Sequence, residues 1–380
     1  MFVFYTILYF FILYMGPTLK SFVPGLMPFV GLLREGYLIY IFFMFFLQKT
    51  KTPVLKCNKE NCLLMSCMVL ALPYIFISYN FTSAVLTYHL FFSGPLLFIL
   101  ISNLTFSKKT LQHYNFWIRF IFGIVCVSSA AFFFVQDKIL SVVDPELLTA
   151  FYKQSGNGVK LRLTGIGFHP TTTAYMFVYF AALEFFFYRN KIKSVILLFF
   201  SYLTSARSVF LGAFVYIFTK ISKKMKIVLI LLGFVFMFII VKMLISLTLY
   251  KYLDPSAAVH LFDLFIGGPK WVLSSLLGRG LGIVSPYNMS NPIVHIESDL
   301  YVYAIQMNIL NLILFILAII TIIKQLNKTH CTSDNYYIFI LLTFSMGCFV
   351  FGLHAIRFTT NFVWIELGIR FSNKERIEKE

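Results

Sequence analysis

Two arginines and a histidine lie beside apolar runs of this chain, where a charged side chain needs a reason to be present. Arg207 ends the tripeptide Ser205-Ala206-Arg207 between two apolar runs, and Arg162 and His169 lead into a third run that begins with Pro170. Arginine presents a planar fork of donors that fits a phosphate or diphosphate group. A helix start beside a cation also attracts anions. These residues indicate an anion site at a membrane surface.

Arg207 and His169 also have structural interpretations. Arg207 could anchor a tight turn by extending its charged head to the interface, although its small neighbours Ser205 and Ser208 favour a site that a head group can approach. His169 could simply cap the helix that follows it, and this interpretation has the same weight as the functional one. The threonines at 171–173 would add hydroxyls at the same helix start.

A second polar segment contains the glycine-rich stretch 277–282, followed by His295 and Glu297. The glycines do not form a nucleotide cradle, because no strand precedes them and no Lys-Ser/Thr pair follows, so they predict a turn. Within this turn, Arg279 is either a second phosphate ligand or a solvated loop charge. His295 and Glu297 are candidates for a general base, and the alternative is that they anchor the start of the next helix.

Two further acidic residues, Asp299 and Glu184, are weaker candidates for chemistry. Glu297 and Asp299 are one residue apart, so on a helix they would point about 200° apart and would not share a metal easily. Glu184 lies deep in an apolar run, near its predicted inner end. We expect Glu184 to extend toward Arg189, which is a structural role.

The composition identifies the environment of these residues. Of 380 residues, 59% are hydrophobic and 12% are charged, and the mean hydropathy is +0.83. A soluble domain carries about 25% charged residues, so a soluble globule is excluded. Continuous apolar runs, rather than alternating segments of about ten residues, favour helices over a membrane barrel. The predicted fold class is an all-α polytopic membrane protein.

The formal charge of +17 would suggest nucleic acid as a partner of a soluble protein, but here the position of the charges is informative. Basic residues cluster in alternate loops, which the positive-inside rule assigns to the cytoplasm. No nucleic-acid partner is therefore expected. The clusters fall within 49–59, 108–119, 189–193, 220–226, 324–328 and 370–379.

The apolar runs predict about twelve transmembrane helices, with both termini in the cytoplasm. The stretch 17–35 is interrupted by prolines and by Arg34-Glu35, and is expected to form an outer loop or a re-entrant half-helix. No basic segment or cleavage site precedes Pro17, so no removed signal peptide is expected. The predicted spans are 1–16, 35–48, 62–79, 84–102, 116–135, 167–188, 194–206, 208–221, 227–247, 298–322, 336–354 and 358–371.

Two predicted outer loops, 136–166 and 248–297, are much longer than a turn. In the second, residues 259–277 mix apolar and polar residues as expected for amphipathic helices on the membrane surface, broken at Gly267-Gly268-Pro269. Such a loop could roof a cavity. All six cysteines fall in spans or cytoplasmic loops, so no structural disulfide is expected. Residues 1–380 are treated as a single integral membrane domain.

In their order and topology, these elements resemble the O-antigen polymerase and ligase superfamily of bacterial integral membrane glycosyltransferases. The resemblance covers roughly the second half of the chain. The family often has glycine near the position of Asn308, and a Ser-Arg-Gly turn where this chain reads Ala206-Arg207-Ser208. The resemblance is carried by the segments 162–170, 203–212, 270–271, 277–282 and 297–301.

The resemblance implies a GT-C-like membrane enzyme that polymerises undecaprenyl-pyrophosphate-linked oligosaccharide repeat units. The reaction would take place at the periplasmic face of the inner membrane, in lipopolysaccharide or related polysaccharide biosynthesis. No cofactor and no metal are implied. Besides the lipid-linked glycan, the implied partners are membrane lipid and a chain-length regulator protein.

The resemblance also implies roles for single residues. Arg207, Arg162 and Arg279 would hold the leaving pyrophosphate in place of a metal. Either His295 or Glu297 would deprotonate the acceptor hydroxyl, with His169 as a reserve candidate for the base.

Two other functions stay open. A ligase of the same superfamily is less favoured because the chain is small and its final large loop is modest. A lipid-linked oligosaccharide flippase should carry its cations deep in a cavity between two similar halves, whereas these charges cluster outside and the halves differ.

Overall fold

Helices dominate the part of the chain that the structure, a computed structural model, describes. A helix satisfies its backbone N–H and C=O groups within one segment, which hydrocarbon surroundings require. The described residues are 1–23, 25, 27–48, 58–140, 152–155, 158–167, 169–206, 208–222, 225–227, 229, 239, 242, 261–285, 294–295, 298–328, 331, 333–350 and 357–372.

The elements follow the chain in a simple order. The first half contains α1 (Phe2–Phe22), α2 (Met27–Gln48), α3 (Lys59–Ala71), α4 (Pro73–Phe76), α5 (Phe81–Ser102) and α6 (Lys108–Leu140), followed by the antiparallel strands β1 (Tyr152–Ser155) and β2 (Gly158–Leu161). The central part contains α7 (Pro170–Phe186), α8 (Lys191–Leu203), α9 (Ser208–Lys220), a π-helical turn (Asp263–Gly267) and α10 (Gly268–Leu273). The last part contains the paired strands β3 (Val284–Ser285) and β4 (Val294–His295), then α11 (Asp299–Met307), α12 (Ile309–Lys328), α13 (Asp334–Val350) and α14 (Arg357–Ser372).

The prediction of a helical membrane protein is confirmed at this level. Five helices within the described ranges are long and apolar enough to cross a membrane. Two shorter apolar helices, Phe2–Gly16 and Val209–Lys220, accompany them. The five candidate spans are Pro28–Gln48, Lys59–Phe76, Phe81–Ser102, Lys108–Val135 and Ile309–Lys328.

The stretch 17–35 is not the loop or half-helix that the sequence predicted. Helix α1 continues to Phe22 and α2 begins at Met27, so most of the stretch belongs to two full helices. Pro28 is the second residue of α2, a position where the missing proline N–H removes no intrahelical hydrogen bond. Pro28 therefore lies at a helix boundary, whereas Arg34 and Glu35 lie within α2.

The predicted span 298–322 is divided at Asn308. This residue has φ 92° and ψ 165°, a backbone conformation that favours glycine. The side chain of Asn308 donates to Tyr74 Oη at 2.5 Å and accepts from the backbone N–H of Asn311 at 2.9 Å. Asn308 thus ends α11 and caps α12, at a place where the resembled family often has glycine.

The predicted break at Gly267-Gly268-Pro269 is also wrong. The chain passes from the π-helical turn into α10 without a gap, and Pro269 lies at the start of α10, where no N–H is needed. A Cβ added to Gly268 would lie 2.2 Å from the ring of Tyr301, whose hydroxyl donates to the carbonyl of Leu264 at 2.6 Å. The glycine therefore allows this helix to pack directly on α11.

The core is built around α7 and around close contacts between helix backbones. Nearly every residue of α7 from Pro170 to Glu184 is buried. A Cβ on Gly212 would lie 2.1 Å from the Cα of Thr343, and a Cβ on Gly94 would lie 2.3 Å from the ring of Trp364. Small residues at such crossings let helices approach closely. The van der Waals packing that results contributes to helix association in a membrane.

Polar contacts join helix ends into two sets. One set connects the ends that carry the basic clusters, which we call the basic end; it comprises Gln48 with Thr105, Glu60 with Gln325, Lys220 with Asn335, Asp334 with Arg370, and Glu184 with Arg119 and Lys193. The other set, which we call the opposite end, comprises Thr18 with Ile166, Tyr74 with Leu277, Ser78 with Leu281, and Arg162 with Thr204. The two sets share no residue.

The expectation of no disulfide is wrong for one cysteine. Cys62, near the start of α3, is disulfide-bonded, and its partner lies outside the described residues. Spacing and compartment alone did not predict this bond. Cys67, Cys126, Cys331 and Cys348 are free.

Candidate functional site

Part of the predicted site lies outside the described residues. Arg207 and Glu297 are in this group. For His295 the backbone is described, and it pairs with Ser285 between the parallel strands β3 and β4. The geometry of the site is therefore built from Arg162, His169 and Arg279.

Arg162 follows β2 and docks on the end of α8. Its Nε donates to the carbonyl of Thr204 at 3.1 Å, and the N–H of the next residue, Leu163, donates to the carbonyl of Leu203 at 3.1 Å. Burial lowers the pKa of Arg162 below its ordinary value. Arg162 therefore lies against the turn that directly precedes Arg207 in the sequence.

That turn is itself tightly defined. The Thr204 hydroxyl donates to the carbonyl of Ser201 at 2.7 Å and accepts from the N–H of Ala206 at 3.2 Å. Ser205 has φ 60°, in the left-handed region that favours glycine. The sequence 204–206 thus makes a turn whose backbone position depends on Thr204.

His169 caps α7. Its Nδ1 accepts from the backbone N–H of Thr172 at 3.2 Å, and the Thr172 hydroxyl lies 3.1 Å from the same nitrogen. Burial, and then the charge of Arg162, lower the pKa of His169 to about 4. The imidazole is therefore neutral near pH 7, with its Nδ1 lone pair directed into the cap and its proton on Nε2. This geometry is that of the capping interpretation.

The start of α7 offers few groups to an anion. Pro170 has no N–H, and the N–H groups of Thr172 and Thr173 are bonded to His169. The Thr173 hydroxyl donates to the carbonyl of Thr164 at 2.6 Å and is 3.0 Å from Tyr14 Oη. The hydroxyls of Thr172 and Thr173 are thus used in internal contacts.

The low pKa of His169 predicts a loss of stability in acid. Because the folded pKa of about 4 lies below the ordinary value of 6.5, the unfolded chain takes up the proton first as the pH falls. The contribution of His169 to the free energy of unfolding is complete above pH 6.5 and falls by about 1.4 kcal/mol per pH unit toward pH 4. His169→Asn is the control, because asparagine can cap the helix but does not titrate. Between pH 6.5 and pH 5, the free energy of unfolding measured by thermal unfolding should fall by about 2 kcal/mol more in wild type than in this variant. Equal losses in the two proteins would contradict the assignment.

The glycine-rich stretch forms a turn, as predicted, and is held between two helices. Gly278, Gly280 and Gly282 all have positive φ, at 80°, 99° and 80°. An added Cβ on Gly280 would lie 2.9 Å from the Cα of Ser78, so no side chain can replace the hydrogen without a shift. The turn therefore lies directly against the segment between α4 and α5.

Backbone hydrogen bonds fix the same turn on both sides. The N–H of Arg279 donates to the carbonyl of Ile305 at 2.9 Å, and the N–H of Gly280 donates to the carbonyl of Gln306 at 3.1 Å. The N–H of Leu281 donates to the carbonyl of Tyr74 at 3.0 Å. The turn that carries Arg279 is therefore held by α11 on one side and by α4 on the other.

The side chain of Arg279 is exposed at an open cleft of about 490 Å³, whose other lining residues are Ile77, Ser78, Tyr79 and Ile283. Its guanidinium donates to the carbonyl of Ser274 at 3.2 Å and lies 5.2 Å from the ring centre of Trp271. Within the described ranges, no acidic side chain pairs with it. Arg279 is thus a positioned cation that faces an accessible cleft.

The structure brings together some of the predicted residues and not others. Arg162 and His169 interact electrostatically, and Arg162 also contacts the turn at Thr204. Arg279 lies at the same end of the bundle but contacts a different group of helices. Asp299 is fully buried at the start of α11 and hydrogen-bonds to Cys348, so it does not line the Arg279 cleft.

The sequence assigned the wrong partner to Glu184 and missed a cluster around it. Glu184 pairs with Arg119 of α6, at 2.8 Å and 3.0 Å, and with Lys193 of α8 at 2.8 Å. Arg189, the expected partner, lies in the turn between α7 and α8 with φ 53°. The contact with Arg119 spans 65 residues, so only tertiary packing could reveal it.

Comparisons with protein families and with curated proteins found no match, so a functional argument depends on the geometry of the candidate site. No protein-family model matches the chain, and no curated protein is similar to it.

Proposed function

We propose that this protein is a glycosyltransferase that polymerises undecaprenyl-pyrophosphate-linked oligosaccharide repeat units at the periplasmic face of the bacterial inner membrane. The observation that carries the proposal is Arg279, a cation on a fixed turn that faces an accessible cleft. A diphosphate leaving group needs such fixed positive charge when no metal supplies it. Because the backbone of the turn is already ordered, binding an anion there costs little further entropy.

The position of Arg162 supports the same conclusion. It lies at the opposite end, as Arg279 does, and docks on the turn that precedes Arg207. Arg162 and Arg279 thus lie at the end that the charge pattern places outside the cytoplasm, where the proposed reaction would need them.

The proposed reaction is a displacement at the anomeric carbon of the growing glycan. The hydroxyl oxygen of the next lipid-linked unit forms a bond to that carbon, and the bond from the carbon to the pyrophosphate oxygen breaks. The electron pair leaves with the lipid pyrophosphate, whose charge the arginines stabilise. The hydroxyl proton passes to His295 or Glu297. His169 is a weaker candidate for the base, because its Nδ1 lone pair is used in capping α7.

The proposal includes the finer topology. About twelve spans in a GT-C-like arrangement would place both termini in the cytoplasm and the loops 136–166 and 248–297 in the periplasm. The described helices coincide with most of the predicted apolar runs, and contacts at the basic end join the loops that carry the basic clusters. Both observations support an alternating, antiparallel arrangement of helices.

Arg207→Ala tests the proposal in the bacterium that carries the protein. Surface glycan length is scored on a gel, protein abundance is checked in parallel, and Lys109→Ala, an exposed change at the basic end, serves as control. We expect lipid cores bearing a single repeat unit at normal abundance, with an unchanged ladder in the control. Complete loss of repeat units would favour the ligase or the flippase. An unchanged ladder would contradict a role of Arg207 in the site and support its interpretation as an interfacial anchor.

A further inference from the structure

We propose that the basic end carries a binding site for an acidic phospholipid, formed by α6 and the start of α8. The cleft measures about 530 Å³ and is lined by apolar residues of α6 together with Arg119 and Lys193. It lies at the other end of the bundle from Arg279, so the inference does not depend on the proposed glycosyl transfer. The phosphate of the lipid would contact the two cations, and one acyl chain would lie along α6.

The cations are held in place but retain donors. Arg119 uses Nε and one Nη2 hydrogen on Glu184, and Lys193 uses one of its three hydrogens on the same carboxylate. The Arg119 guanidinium lies 3.7 Å from the ring centre of Tyr188, and Lys193 Nζ lies 4.5 Å from that of Phe180. Both side chains are 39% exposed, so the remaining donors are accessible.

The local charge favours an anion. Glu184 is fully buried and neutralises one of the two cations, which leaves a positive charge at the cleft. Besides Lys193, the first turn of α8 carries Lys191 and no acidic residue. A helix N-terminus is the positive end of the helix dipole and prefers negative charge, so two lysines there are unfavourable, and Glu184 offsets only part of that positive charge. A phosphodiester would relieve this repulsion.

The apolar wall of the cleft is an exposed face of α6. Phe116, Phe120 and Ile124 are spaced by four residues, so they lie on one face of α6, and all three are exposed. Gly123 lies beside this face, and a Cβ there would meet only the ring edge of Phe180 at 4.0 Å. The missing side chain leaves a depression in which an acyl chain can lie.

The position along α6 suits a head group. Its 33 residues span about 50 Å, whereas the hydrocarbon layer is about 30 Å thick. The helix is therefore tilted or extends beyond the hydrocarbon at its ends. Arg119 lies about 16 Å from the start of α6 at Lys108, which places it near the level of the phosphates if the basic start of the helix is the part that extends. The cytoplasmic leaflet, to which basic clusters point, is the one that attracts basic residues through acidic lipids.

Native mass spectrometry of the full chain tests the site with equimolar phosphatidylglycerol, phosphatidylcholine and a polyprenyl monophosphate. Gly123→Leu fills the depression without changing charge, and Gly31→Leu, at a glycine of α2 with nothing within 4 Å, is its matched control. Lys193→Gln keeps a hydrogen-bond donor near Glu184 but removes the charge. Because leucine favours helix more than glycine does, neither leucine variant should lose its fold.

We expect wild type to retain phosphatidylglycerol over phosphatidylcholine by about fivefold or more, which is the ratio expected from about 1 kcal/mol per basic residue. Gly123→Leu and Lys193→Gln should each reduce that preference, and Gly31→Leu should retain it. Equal retention of the two phospholipids, or an undiminished preference in Gly123→Leu, would overturn the proposal. Selective retention of the polyprenyl phosphate, lost in Gly123→Leu, would also overturn it, because the occupant would then be an isoprenoid lipid.

Discussion

Replacing Arg370 with methionine is expected to destabilise the protein by about 3–5 kcal/mol, because it leaves the carboxylate of Asp334 buried without its counter-charge. Arg370 near the end of α14 and Asp334 at the start of α13 form a bidentate pair, with the Nη2 to Oδ2 contact at 2.8 Å. Their side chains are 6% and 2% exposed. The pair thus connects the two helices in a place that water does not reach.

The loss of stability in Arg370→Met should come from the broken ion pair and not from the removal of a positive charge alone. The double variant Asp334→Asn/Arg370→Met removes both charges and should recover about half of the loss or more. Lys328→Met, which removes an exposed cation at the end of α12, should change stability by less than about 0.5 kcal/mol. Unfolding in a denaturing detergent titration gives all three values, and a loss below about 1 kcal/mol in Arg370→Met would contradict the assignment.

Arg279→Ala is expected to reduce the rate of repeat-unit addition by about 100-fold, if Arg279 stabilises the leaving pyrophosphate as proposed. Arg279→Lys keeps the charge but loses the planar fork, so it should retain intermediate activity. Purified protein, supplied with a lipid-pyrophosphate-linked oligosaccharide, allows both the product length and the released lipid pyrophosphate to be measured. The two readouts should fall together.

A structural role for Arg279 would give a different result. Its guanidinium also contacts Ser274 and lies near Trp271, so the change could loosen α10 instead. Lys270→Ala, one residue before Trp271 and exposed, is the matched control and should keep normal activity. If Arg279→Ala has normal activity, or if its activity falls only in proportion to a lowered melting temperature, the assignment of Arg279 to the anion site is wrong.

The sequence alone determined the class of the protein and much of its helix pattern. A membrane interior requires long apolar segments and penalises unpaired charge, so composition and charge position carry this information directly. The predicted run 84–102 corresponds to α5 (Phe81–Ser102), and the run 194–206 corresponds to α8 (Lys191–Leu203). The prediction of a turn at 277–282 also held, because alternate glycines favour positive φ.

Only the tertiary structure decided which polar residues meet. Hydropathy does not record whether a glycine lies against another backbone, so the contact of Gly280 with Ser78 could not be predicted. Charge pattern does not record partners that lie far apart in the chain, so Glu184 was assigned to nearby Arg189 instead of Arg119. His169 was equally compatible with a cap and with catalysis until its Nδ1 was seen to accept from Thr172. The local sequence sets where a helix begins and which side chains are available, whereas the packing of distant helices sets the neighbours that give each side chain its role.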